Sequence, residues 1–225
     1  MRASFSIKSV FSKFRGTLKN ISANVKAFRK KRPFLMWSIY SFFGLIGLGA
    51  LTVSVFVALI GFGFYGKIPT HQELLAIQNP VASEVISSDG LLMGKYYVQD
   101  RLNVELKDIS PAVINALIAT EDARFFEHMG VDLRSWFRVF FKSVLMKDKA
   151  SGGGSTLSQQ LAKNLYPRRD YKYFSLVVNK LREVFIARRL EQLYSKDELL
   201  QLYMNTVAFS NNTYGIRVAG KRFFQ

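Results

Sequence analysis

The sequence predicts a mainly α protein in which one transmembrane helix and a small β element precede an all-helical domain. Three observations carry that expectation. Residues 34–66 hold no charged side chain. Residues 81–108 contain short runs of Val, Ile and Tyr broken by Asp89-Gly90, a strong hairpin signal. From Ser110 onward, apolar residues recur at helical rather than alternating spacing.

Of the chain's 32 Lys and Arg residues, ten lie in residues 1–32, where there is no acid, which leaves 22 bases against 16 acids for the rest. Most of the charge excess is therefore a property of the tail, residues 1–33. The uncharged run 34–66 exceeds the roughly 20 residues a helix needs to cross hydrocarbon, and the 7–15 apolar residues of a cleaved signal. It reads as one retained span. Lys and Arg resist translocation, so the tail, with "RKKR" at 29–32, predicts a cytoplasmic N-terminus and an extracytoplasmic remainder. The tail lacks a nucleic-acid-binding fold, and its place beside the span makes anionic membrane lipid the expected partner and nucleic acid not one. With no cysteine, disulfides and cysteine metal sites are excluded.

Residues 67–109 read as a linker with a helical piece ended by Pro80, followed by the β element. Ser110-Pro111 supplies an N-cap and a proline at the first helical position, and Val113, Ala116 and Leu117 at helical spacing place Glu121 near the helix end, partly shielded by packing. A second helix, about 132–147, is strongly apolar apart from a stripe of Arg134, Arg138 and Lys142. Such a helix is either core or lies in a membrane interface. After the loop "KDKASGGGS", "TLSQQLAKNLY" and "YFSLVVNKLREVFIARRLEQLY" read as helices. The latter has an apolar stripe of Phe174, Val177, Val178, Leu181, Phe185 and Leu190 that leaves Lys180 and Glu183 off its centre. Ser195 and Glu198 form a capping box that starts a further helix. The helical domain spans 110–225.

Glu121-Asp122 in "ATEDARFFEHMG", then "STLSQQLAKN", "KLREVFIARRLE", "SKDELLQLYMN" and "NTYGI" follow one another in that order. Together they resemble the family-51 peptidoglycan glycosyltransferases over about residues 110–225, and "SEVISSDGLLMGKYYVQDRLNVEL" resembles what precedes this domain in class A penicillin-binding proteins. The resemblance implies a lysozyme-like α fold. It also implies polymerisation of lipid II, the growing glycan strand moving from undecaprenyl diphosphate onto the 4-hydroxyl of an incoming disaccharide.

By the same resemblance, Glu121 is the general base that deprotonates the acceptor hydroxyl, and Asp122, counted with the substrate-binding residues, holds its loop in shape together with His128. Ser155, Thr156, Gln160 and Lys163 would serve the diphosphate, with Arg138 as a further phosphate contact and Gly154 as structural support. Glu183 would assist departure of the diphosphate, directly or through a divalent cation, Mg or Mn. Partners would be lipid II, the glycan strand, membrane lipid and cell-wall synthesis proteins.

Two departures stand out: Gly215-Ile216-Arg217 where many members read Gly-Ile-Glu, and a chain that stops at "KRFFQ", before the last helices the resemblance implies. An incomplete lobe with little polymerisation by itself is therefore expected. No Ser-x-x-Lys or Lys-Thr-Gly of a transpeptidase occurs. The competing readings are a lysozyme-like glycan-cleaving enzyme, which has no diphosphate to hold, and a non-catalytic anchor or assembly partner.

Overall fold

A computed structural model describes residues 30–141, 153–210 and 212–224, together with Arg15 and Lys19. The chain forms two compact units, Met1–Val57 and Ala58–Gln225. Helix α1, Pro33–Gly61, is, among the described residues, the one helix long and apolar enough to cross a membrane. At 1.5 Å per residue its 29 residues extend about 43 Å. It stops short of Gly66 because "GFGFYG" turns the chain: Gly63 and Gly66 take φ of 85° and 110°, open to glycine at little steric cost.

The segment that follows α1 is strapped to the helices of its own unit. Helix α2, His71–Leu75, begins at a capping box of Thr70 and Glu73. β1, Ser83–Ile86, pairs antiparallel with β2, Leu92–Tyr96, around the expected Asp89-Gly90 turn, where Gly90 has φ 83°. β3, Asp100–Arg101, was not legible in the sequence. It pairs in parallel with β5, Thr213–Tyr214, which also pairs antiparallel with β4, Ala208–Ser210.

Helix α3, Pro111–Glu121, starts at Ser110-Pro111 as expected, although Ser110 makes no side-chain cap bond. Helix α4, Leu133–Phe140, is capped by Asp132, whose carboxylate accepts from Arg134 and Ser135 N–H. The remainder of the expected 132–147 helix, with Lys142, Val144 and Leu145, lies outside the described residues, as does Gly152. Helices α5, Leu157–Leu165, α6, Ser175–Leu193, and α7, Lys196–Thr206, make the core, and α8, Ile216–Phe224, follows β5. Leu157, Leu161, Ile186, Leu190, Leu199 and Leu200 interlock there with Leu74 and Phe125. Both halves of the Ser195/Glu198 capping box are formed at α7.

The buried face of α6 differs from the expected stripe. Phe174 and Val177 are exposed, whereas Asn179, Arg182 and Glu183 are buried beside Val178, Ile186, Ala187 and Leu190. The polar residues move inward because each finds a partner: Asn179 bonds the backbone of Arg169 and Ser175, and Arg182 reaches Tyr171 Oη and the Lys67 carbonyl. A buried polar group so partnered escapes most of its desolvation cost.

Gly130 shows how tightly the loop after α3 lies on α6. It has φ 84°, and a Cβ there would come 3.1 Å from the Ala187 backbone. Gly130→Ala should therefore combine left-handed strain with a backbone clash and cost about 2–4 kcal/mol. Denaturant unfolding of the full chain in detergent micelles reads this directly, and an unchanged midpoint would disprove the close approach.

Candidate active site

α3 ends between the two adjacent acids, and that sends them to different places. Glu121, its last residue, is exposed rather than shielded, whereas Asp122 is the C-cap and only 8% exposed. The Asp122 carboxylate takes His128 Nε2 at 3.0 and 3.1 Å and the Leu157 N–H at 3.0 Å. An ionised carboxylate only accepts, so His128 donates through Nε2. Leu157 opens α5, so Asp122 also meets the positive end of that helix.

Thr156 completes the joint. Its hydroxyl caps α5 by accepting from Gln159 N–H and donates to the Gly130 carbonyl at 2.8 Å, which also receives Gln159 Nε2 at 3.2 Å. Lys196 Nζ donates to the His128 carbonyl at 2.6 Å and sits 4.4 Å from the centre of the Phe125 ring. The loop from Asp122 to Gly130 is thereby fixed to α5 and to the start of α7.

Glu121 is oriented from α5 and α7. Gln160 Nε2 donates to Glu121 Oε2 at 2.8 Å, and Tyr203 Oη donates to Gln160 Oε1 at 3.1 Å. Burial, helped by the charge of Glu121, pushes the Tyr203 phenol up to about 12, so it remains a donor at neutral pH.

These residues open onto a cleft of about 530 Å³, within the usual range for small-molecule sites. Of the residues expected from the sequence, Glu121, Asp122, Arg138, Gly154, Ser155, Thr156, Gln160 and Lys163 line it, whereas His128 and Glu183 do not. Gly154 has no left-handed backbone, and a Cβ there would make only ordinary contact, 3.4 Å from Val139.

Glu183 lies behind the cleft wall, 5% exposed. Arg168 Nε meets it at 2.7 Å and Lys180 Nζ at 3.2 Å, and Lys180 also donates to Ser155 Oγ at 2.7 Å. Burial lowers the Lys180 pKa. Glu183 opposes that fall, while the charges of Arg168 and Lys163 add to it. Arg168 and Lys163 thus both repel Lys180, while Arg168 and Lys180 share the buried acid Glu183.

A divalent cation wants several oxygen ligands. Glu183 instead faces two cations, and among the described residues no group of three or more His, Cys, Asp or Glu comes together. Glu183 is thus the one carboxylate at this position, and it is already engaged by Arg168 and Lys180.

Sequence reasoning missed Arg124, Arg168 and Tyr203, and read Lys180 only as a neighbour of Glu183. Arg168 is brought in by the irregular segment between α5 and α6, and Tyr203 stood inside an apolar run, so no local spacing marks either. Arg124 lines the cleft and pairs with Asp132 at 2.5 Å.

Residues 89–225 match the family described as Transglycosylase, and the chain belongs to it, a family-51 glycosyltransferase domain with a lysozyme-like helical fold. It is 37% identical over 168 residues to penicillin-binding protein 1A of Vibrio cholerae serotype O1, covering 74% of this chain and 20% of that protein. To penicillin-binding protein 1F of Bacillus subtilis it is 36% identical, covering 77% and 24%. To penicillin-binding protein 1A of Escherichia coli it is 36% identical, covering 77% and 21%. The chain thus spans about a fifth to a quarter of the length of these relatives.

The Arg124–Asp132 pair has a measurable consequence. Burial of Asp132 opposes its ionisation, but hydrogen bonds from Arg124 and Ser135 outweigh it and hold the carboxyl at about 2. Between the ordinary value near 4 and about 2, the unfolded chain binds a proton that the folded chain does not. The stability this supplies is complete above pH 4 and is lost as pH falls through 2, amounting to about 2 kcal/mol. Unfolding free energies at pH 5 and pH 2 should fall by about that much more for the parent than for Asp132→Asn. Parallel pH profiles for the two proteins would refute it.

Proposed function

We propose that this chain carries the glycosyltransferase site of a membrane-anchored cell-wall polymerase that joins lipid II into glycan strands and releases undecaprenyl diphosphate. The observation that carries the reading is one exposed carboxylate, Glu121, aimed by Gln160 at the edge of a cleft that also holds Lys163 and Arg138. A glycan-cleaving enzyme needs acids but has no anionic leaving group to hold. Here the cleft pairs its acid with cations.

In this reading Glu121 takes the proton from the acceptor's 4-hydroxyl, and that oxygen forms the new bond at the donor's anomeric carbon. The bond from that carbon to the diphosphate breaks on the opposite face, so the configuration inverts and the diphosphate leaves with the electron pair. A positioned base contributes roughly 10²–10⁴-fold. Lys163 and Arg138 would meet the departing phosphates, where charge builds up. Lys180, turned by Glu183 toward Ser155, supports that wall from behind.

α1 would cross the cytoplasmic membrane with the basic tail inside, putting the cleft on the side where the lipid-linked substrate is polymerised.

The test uses labelled lipid II in detergent and a chain carrying the whole glycosyltransferase lobe, with binding and polymerisation measured separately. Glu121→Gln should keep binding within about threefold while turnover falls at least about 10²-fold. Near-normal turnover would return Glu121 to an ordinary surface acid. Lys163→Ala should instead weaken donor binding by about tenfold or more, with Arg restoring only part, since a planar fork replaces a compact charge. If the parent neither binds nor polymerises lipid II, the substrate assignment is wrong.

A further inference from the structure

α6 opens on a run of large exposed side chains. Tyr173, Phe174, Leu176 and Val177 are each exposed by half or more, Leu176 to 75%. Contiguous apolar surface of this kind marks a contact with something other than water. Phe174 also breaks two local rules. It is the N-cap of α6 yet makes no side-chain cap bond, where Ser, Thr, Asp or Asn is the usual choice, and it sits in the left-handed region at φ 55°. That region is costly to a bulky residue, and such strain gathers at functional positions.

The end of α1 lies on the same helix. Ile60 is fully buried, and a Cβ on Gly61 would come 3.4 Å from the Phe185 ring. Both residues belong to the unit Ala58–Gln225, as do Phe62 and Phe64, which stand exposed. Four residues past the end of α1, the Tyr65 carbonyl accepts from the Tyr171 hydroxyl, and the two rings meet edge to face with centres 6.1 Å apart. No more than about 14 Å of chain separates that contact from the end of α1. The exposed run begins two residues later, at Tyr173.

The charges beside these rings are mostly positive. Arg168, Arg169 and Lys172 are exposed there with a single acid, Asp170. Lys172 Nζ lies 5.4 Å from the centre of the Tyr173 ring. Aromatic rings at the level of the headgroups, with cations among the phosphates, are what the boundary of a bilayer accepts. A partner protein would also cover apolar side chains, but continuity with the end of an apolar helix and the excess of cations favour lipid.

We propose that Tyr173, Phe174, Leu176 and Val177, with Phe62 and Phe64, form a second membrane contact, seated in the headgroup layer where α1 ends and drawn to anionic lipid by Arg169 and Lys172. This contact rests on α1 crossing the membrane, as proposed above. It gives the unit that bears the Glu121 cleft two attachments in place of one, so the unit is oriented on the bilayer as well as tethered to it.

The chain has no cysteine, so a single introduced cysteine carries a nitrobenzoxadiazole label without background. The full chain is placed in nanodiscs of phosphatidylcholine and phosphatidylglycerol, which leave both faces open to solutes. Labels at Leu176→Cys and Tyr173→Cys should be quenched by nitroxide lipid. They should also be shielded from iodide at least about fivefold relative to Gln192→Cys, an exposed position about 24 Å from Leu176 along α6. Omitting phosphatidylglycerol should reduce that shielding at least about twofold, and indifference would overturn the preference for anionic lipid. Leu51→Cys, within α1, reports on the span by itself. If its label meets no nitroxide lipid, the span and this surface both fail. If it does, while Leu176 and Tyr173 are as open to iodide as Gln192, this surface alone is refuted. Shielding from iodide without quenching by lipid would show that protein covers the patch, and would overturn the lipid assignment.

Discussion

The carboxylate of Asp122 is the joint on which the cleft is assembled. One side chain stops α3, holds His128 from its own loop and receives the first N–H of α5. Each of these bonds is made in a buried place, where an unmet charge would cost several kcal/mol, so the three elements are committed together. Its neighbour Glu121 is left on the outside by the same geometry. A pair of adjacent acids thereby becomes one anchor and one exposed group.

From that joint the arrangement extends in two directions. Toward α6, the Gly130 carbonyl is clamped by Thr156 and Gln159, and the bare α-carbon lets the loop lie directly on the helix that bears Glu183. Toward α7, Gln160 links Glu121 to Tyr203, so the aim of the exposed acid is set by a residue of the apolar core. Positioning an acid through rigid helices, instead of through its own short loop, is what holds it within the narrow tolerance of a reacting geometry.

What was legible in the sequence follows from which forces are local. The uncharged run of α1, the Asp89-Gly90 turn, the Ser110-Pro111 start and the Ser195/Glu198 box are set by neighbours within a few residues, and their patterns are visible in one dimension. Eight of the ten expected site residues line one cleft because the motif resemblance carried their positions. The buried face of α6 could not be found that way. Hydropathy ranks Phe174 as core and Arg182 and Glu183 as surface, and only partners more than ten positions away, Tyr171, Lys67 and Arg168, reverse that order. The same holds for β3, a two-residue strand whose partner, β5, comes more than 110 residues later.

The segment between α1 and α2 has a further consequence. Tyr171 donates to the Tyr65 carbonyl, Arg182 to that of Lys67, Arg189 to that of Pro69 and Tyr194 to that of Leu74. A free leash lengthens its reach gently, roughly as the square root of its residues. A segment whose carbonyls are claimed one by one behaves as a ratcheted strap: inserting a single residue shifts every later carbonyl by about 3.3 Å, more than a hydrogen bond tolerates. The claimants include Arg182, beside Glu183, and Arg189, two turns further along α6. Length changes made in the strap are therefore felt in the helix behind the cleft, whereas length changes made within the apolar span above it leave the strap's register intact.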